Sequence, residues 1–138
     1  MDDETSHAEA ALRKRESQGW VKEVAVTLDD CIARVKRAKQ NNESTSIAYL
    51  GNIVDLWERL AEEQEMLVDL GSDQTSLHNP FNGGYYPVGL TFEQSNKMMT
   101  ENPEQFRKQV QQSLVRHVAA INKLTKRGMR FWDYGNSL

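Results

Sequence analysis

Three short polar turns carry the groups best suited to chemistry in this 138-residue sequence. They are Gly51-Asn52, Asp73-Gln74-Thr75-Ser76 and Asp133-Tyr134-Gly135-Asn136. Each falls at the end of a stretch that reads as a β-strand. Each offers amide, hydroxyl or carboxylate groups that hydrogen-bond a ribose, a phosphate or an amide. In an open parallel α/β sheet, ligands bind beyond the carboxyl ends of the strands, so such a fold would gather the three turns on one rim. Gly51-Asn52 also opens a helix, whose first amides suit an anion. The pattern points to a nucleotide site without saying which nucleotide. On physical grounds alone Tyr134, at a strand end and followed by glycine, is the best-placed single residue for a cofactor. A full dinucleotide site also needs a phosphate loop, and neither G-x-G-x-x-G nor G-x-x-x-x-G-K-[ST] occurs. Either the chain binds something else or the phosphate loop lies outside it.

The remaining reactive residue types read as structural. His78 has no second His or Cys at metal-ligand spacing, so no metal is expected and a hydrogen-bonding role fits better. His117 falls on the apolar line of a long helix, as a core or edge histidine with satisfied nitrogens does. Cys31 sits on the apolar face of a helix, where a thiol packs as a small hydrophobe. Trp57, Met98 and Met99 read as core. Asp73 has two readings, a ribose-binding acid and a turn cap, and both stay open.

The elements that must position these groups follow from periodicity. Residues 1–18 are polar and charged, helical through Ala8–Arg15 or frayed. Residues 19–138 read as one Rossmann-like segment. Trp20–Val26, Thr45–Leu50, Glu65–Leu70 and Met129–Tyr134 read as strands. Leu28, Cys31, Ile32 and Val35 recur at helical spacing behind Thr27, a good N-cap. Ile53, Leu56, Trp57 and Leu60 form one face of the next helix. Ser72–Gly89 is a long loop rich in Asn, Gly, Pro, Ser and Tyr, and long loops inside compact domains usually carry function. Thr91 with Gln94 reads as a capping box. Asn102-Pro103 opens a long helix, with Phe106, Val110, Leu114, His117, Ile121 and Leu124 as its apolar line and Gly128 as its stop. Strand–helix alternation implies right-handed crossovers and a parallel sheet with flanking helices, an α/β class.

Bulk composition narrows the function further. Lys and Arg number 17 against 20 Asp and Glu, interspersed along the chain. That is not the basic stripe of a nucleic-acid binder, and none is expected as partner. No apolar run spans a bilayer, and no secretory signal opens the chain, so neither membrane nor export is expected. One cysteine excludes an internal disulfide and suits a reducing compartment.

Asp69-Leu-Gly-Ser-Asp-Gln-Thr-Ser-Leu-His-Asn-Pro-Phe-Asn-Gly-Gly-Tyr-Tyr-Pro87 is a long and unusual loop. It resembles the signature loop of the urocanase family in its eukaryotic form. Gly51-Asn-Ile-Val-Asp-Leu-Trp-Glu-Arg-Leu60, Ser113-Leu-Val-Arg-His-Val-Ala-Ala-Ile-Asn122 and Phe131-Trp-Asp-Tyr-Gly-Asn136 resemble further family segments, in order and spacing. The likeness runs from about Lys14 to the end. It implies the second part of an inserted, Rossmann-type NAD domain, with an incomplete sheet. The family uses tightly bound NAD as an electrophile and hydrates urocanate to imidazolonepropionate in histidine breakdown. Carried over by position, the implied cofactor contacts are Asn52 and Ile53 (the latter through its backbone), Gln74, Thr75, Ser76, Leu77 and His78, the pair Tyr85 and Tyr86, and Tyr134. Bacterial members lack one of Gly83 and Gly84, which loosens the register at the tyrosine pair. The family's phosphate loop would precede Met1, and its catalytic side chains lie in a core domain on both sides of this segment. The resemblance therefore implies a partial chain that is inactive alone, from an enzyme expected to be a cytoplasmic homodimer. The other function class is a non-catalytic nucleotide-binding or scaffold module that has kept the fold.

Overall fold

The computed structural model describes residues 3–73, 80–81 and 85–133, the side chains of 3–7 and 133 excepted. The chain divides into two units, Met1–Gly51 and Asn52–Leu138.

In the first unit, α1 (Asp3–Ser17) is followed by β1 (Glu23–Ala25), α2 (Leu28–Gln40) and β2 (Ile47–Tyr49). Helix α1 extends the expected Ala8–Arg15 at both ends. It stops where Gly19 takes φ +81, a conformation glycine adopts without steric cost. The two strands are shorter than their β-branched stretches suggest, and Trp20 stays 78% exposed outside β1. They pair in parallel, Val24 opposite Ala48. Thr27 caps α2 as expected, its Oγ1 accepting from the Asp30 amide at 3.2 Å. Cys31 and Ile32 bury the inner face of α2, and burial, the largest influence, pushes the Cys31 thiol up and away from reactive thiolate.

One carboxylate ties this unit together. Glu23, first in β1, accepts from Arg37 at 2.8 and 2.9 Å, from Thr45 Oγ1 at 2.7 Å and from Arg34 at 3.1 Å. The bonds reach α2 and the approach to β2. The Arg37 guanidinium, then the Thr45 hydroxyl, hold the Glu23 carboxyl at about 2 against an ordinary 4.5, while partial burial works the other way.

In the second unit the order is α3 (Ile53–Glu62), β3 (Leu70–Asp73), α4 (Phe92–Glu101), α5 (Pro103–Lys126) and β4 (Arg130–Asp133). Helix α5 buries Phe106, Val110, Ser113, His117, Ala120, Ile121 and Leu124 along one stripe. That stripe packs on α3, whose Val54, Trp57, Leu60 and Ala61 are buried. Thr91 and Gln94 form the expected capping box, Asn102 caps α5 with Pro103 at its start, and Gly128 at φ +113 ends it. Arg116 of α5 grips Glu58 of α3 through two bonds, 2.6 and 2.9 Å. Arg127 donates to the carbonyls of Ala61 and Gln64, at 3.1 and 2.9 Å, where α3 has run out of amide donors.

One expectation needs correction. The third strand is not Glu65–Leu70 but Leu70–Asp73, set by its parallel ladder with Arg130–Asp133. Gly-Ser-Asp looks like a turn, yet it lies in the strand, and glycine stands at 71 because no side chain fits there. A Cβ on Gly71 would stand 2.9 Å from the Trp57 ring and 3.1 Å from Met129 Sδ. The described strands form two parallel pairs, β1–β2 in the first unit and β3–β4 in the second. The class is α/β, parallel strands with flanking helices and incomplete sheets. No described helix is long and apolar enough to cross a membrane.

Two measurements check these packings. Glu23's folded value lies below its unfolded one, so its contribution is complete above about pH 4.5 and is lost as pH falls through about 2. Glu23→Gln should therefore lower the urea midpoint at pH 7, with the two proteins converging near pH 2; an unchanged midpoint at pH 7 would count against the hub. Gly71→Ala should cost about 1–3 kcal/mol in thermal unfolding through overpacking against Trp57 and Met129.

Candidate functional site

Strands β3 and β4 end side by side, since Asp73 and Asp133 are partners in the parallel register. Two of the three expected turns therefore start from one strand edge. Gln74, Thr75, Ser76, Leu77, His78 and Tyr134 themselves lie outside the described residues. Four of the expected contacts lie within them: Asn52, Ile53, Tyr85 and Tyr86.

Asn52 and Tyr86 are brought together. Asn52 is the N-cap of α3, its Oδ1 accepting from the Val54 amide at 2.9 Å. Its Nδ2 donates to the Tyr86 carbonyl, also at 2.9 Å. One side chain thus starts a helix and holds a distant loop segment. Before it, the ring of Tyr49 occupies the space a Cβ on Gly51 would need, which explains glycine there. Ile53 opens α3; the first amide of a helix has no intrahelical partner, so a contact at this position would run through the backbone.

Adjacent tyrosines face opposite ways. Tyr86 is 40% exposed, its ring edge-on to Phe92 with centroids 5.0 Å apart. Tyr85 is 4% exposed and packs in a cluster with Phe106 and Val110, flanked by Phe81, Met98, Met99 and Leu114. Burial, the largest influence, pushes the Tyr85 phenol up, so it keeps its proton at neutral pH.

A chain of polar groups lies buried behind this surface. The Tyr85 hydroxyl meets Ser113 Oγ at 2.9 Å and His117 Nδ1 at a longer 3.4 Å. His117 Nε2 meets Asp73 Oδ2 at 2.6 Å. The Val88 amide donates to Ser113 Oγ at 2.9 Å. His117 is thus a core histidine with partners, as its place on the helix implied. Asp73, left open between two roles, is in part the partner of that histidine. Ser113 was not anticipated. A signal for it exists: Ser113 and His117 stand four apart on the buried stripe of α5, and polar residues at core positions need buried partners.

The donor set bears on which cofactor could sit here. Tyr86 presents an exposed aromatic ring, suited to stacking against a base or nicotinamide. The paired ends of β3 and β4 supply a rim of the kind nucleotides occupy in α/β folds. The Asn52 side chain is spent on bonds within the chain. Among the described residues no group of three or more His, Cys, Asp or Glu is arranged to hold a metal. The described strand edge and exposed ring are compatible with a nucleotide-binding fold.

Comparison with known proteins places the chain in a family. Residues 5–138 match the family described as "Urocanase Rossmann-like domain". The chain is 58% identical over 130 residues to a "Probable urocanate hydratase" of Caenorhabditis elegans, covering 94% of this chain and 19% of that protein. It is 58% identical over 132 residues to "Urocanate hydratase" of Mus musculus, covering 93% of this chain and 20% of that protein. Identity to "Urocanate hydratase" of Homo sapiens is 54% over 132 residues, with the same coverage of 93% and 20%. The chain spans about a fifth of the length of these relatives.

The two functions of Asn52 are separable. Asn52→Asp keeps an oxygen for the Val54 amide and loses the donor to Tyr86, whereas Asn52→Ala loses both. Urea unfolding should show a loss of about 2 kcal/mol for Ala, cap and bridge together, and about 1 kcal/mol for Asp. Equal losses would mean that the cap contributes nothing beyond the bridge to Tyr86, and no loss for Asp would mean that the bridge contributes nothing.

Proposed function

This chain belongs to the urocanase family, and we propose that it is part of the NAD-binding domain of a urocanate hydratase. That enzyme is a hydro-lyase of histidine breakdown, adding water to urocanate to give imidazolonepropionate. The observation that carries the reading is the shared edge at Asp73 and Asp133, joined to the Asn52–Tyr86 bridge. It puts the start of the signature loop beside the strand that leads to Tyr134. NAD, when bound, supplies an electrophilic nicotinamide ring, not a hydride.

This chain's residues bind and orient. Tyr86 offers a face for stacking, and Ile53 offers its backbone at the start of α3. Asn52 holds the Tyr86 segment against that helix start. Gln74, Thr75, Ser76, Leu77, His78 and Tyr134 complete the contact set by family resemblance, with Tyr85 contributing from the interior. No catalytic acid or base is assigned to this chain. The working enzyme is proposed to be a cytoplasmic homodimer whose substrate is urocanate, with no nucleic-acid or membrane partner. The other reading is a non-catalytic nucleotide-binding or scaffold module that has kept the fold.

Activity separates these readings. The purified 138-residue chain with added NAD⁺ should leave the ultraviolet absorbance of urocanate unchanged, while the full-length protein should remove it. Turnover by the short chain would overturn the assignment of catalysis to other segments. A full-length protein that binds NAD⁺ and leaves urocanate intact would establish the scaffold reading.

A further inference from the structure

The cofactor reading gives His117 no task, yet the core of the second unit is arranged around it. His117 is wholly buried, and Ser113, Tyr85 and Asp73 are nearly so, at 1%, 4% and 8% exposure. Buried polar groups cost stability unless all are paired, and an apolar core of the same shape is commonly as stable or more so. Their protons can be counted. The Val88 amide donates to Ser113 Oγ; continuing that direction, the Ser113 hydroxyl is assigned to donate to Tyr85 Oη, the Tyr85 hydroxyl to His117 Nδ1, and His117 Nε2 to the Asp73 carboxylate. With this assignment no donor among these four side chains is idle. It requires the imidazole proton on Nε2.

The partners of His117 are separated in sequence by the loop that bears the family resemblance. Asp73 is the last residue of β3, and Tyr85 is where the described backbone resumes toward α4. From Tyr85 to Val88 the backbone is held at three places: the Tyr85 hydroxyl, the Tyr86 carbonyl on Asn52 and the Val88 amide on Ser113. Tyr85 is thereby fixed inward and Tyr86 outward.

We propose that His117 is a positioning residue for the cofactor rim: by joining Asp73 to Tyr85 it sets the end of β3 against the Tyr85–Val88 segment and so fixes the outward ring of Tyr86. This rests on the reading of that rim as part of an NAD site. His117 touches no cofactor and acts through Tyr85 and Asp73.

The test uses the full-length enzyme stripped of cofactor and titrated with NAD⁺. His117→Phe keeps the bulk and removes both bonds, and the Kd for NAD⁺ should rise about tenfold or more. His117→Gln, whose amide can still donate toward Asp73, should recover part of that loss. Val110→Ala truncates the same cluster without touching the polar chain; it should lower the Tm and leave the Kd within about twofold. A Kd for His117→Phe that is unchanged, or no larger than that of Val110→Ala, overturns the proposal. If His117→Phe does not fold, His117→Gln decides: it loses the acceptor for Tyr85, so a Kd raised about threefold or more supports the proposal, and an unchanged Kd overturns it. Failure of the unaltered enzyme to bind NAD⁺ would overturn the reading of the rim, and this inference with it.

Discussion

The 2.6 Å contact between His117 and Asp73 is the constraint around which the second unit is arranged. It joins the midpoint of the longest helix to the last residue of a short strand, deep in a core otherwise closed by Phe106, Val110 and Leu124. A carboxylate there has to be paired, because an unpaired buried charge costs several kcal/mol. The pairing anchors the last residue of β3 to α5. β4 follows by its ladder with β3, and Tyr85 follows through the other imidazole nitrogen. The first unit solves a related problem nearer solvent, where Glu23 gathers two guanidiniums and a hydroxyl.

Much of this was legible in the sequence. Helix starts were, because their signals are local: Thr27, Thr91 and Asn102 each cap the helix they precede. The buried stripe of α5 was, because its period spans 24 residues. The parallel class followed from alternation alone. The third strand was misplaced because its location is not a local matter. Gly71 and Ser72 carry turn chemistry, and only the ladder with β4 and the closeness of Trp57 make them strand. Tertiary packing overrode propensity, as it commonly does for short strands.

The site divides along the same line. Resemblance named the pair Tyr85 and Tyr86 without distinguishing them, and their opposite orientations appear only when the core is assembled. Ser113, and the pairing of Asp73 with His117, escaped for a like reason, since each joins elements far apart along the chain. Asn52 was singled out for its place in a Gly-Asn turn, yet its bond to the Tyr86 carbonyl spans 34 positions and has no local signature.

The grip of Arg127 on the end of α3 has a consequence for synthesis. Its two bonds to the Ala61 and Gln64 carbonyls span 66 and 63 positions, and the Arg116–Glu58 pair spans 58. A ribosome that has just released α3 has not yet made the residues that finish it. The helix emerges with its last carbonyls open and its apolar face uncovered, and it waits for α5 and β4 to follow. Contacts of such separation form late and slowly, so the second unit meets the cell's chaperones as a half-built object. During the interval between α3 and Arg127 the apolar face of α3 lacks its cover, and aggregation competes with folding.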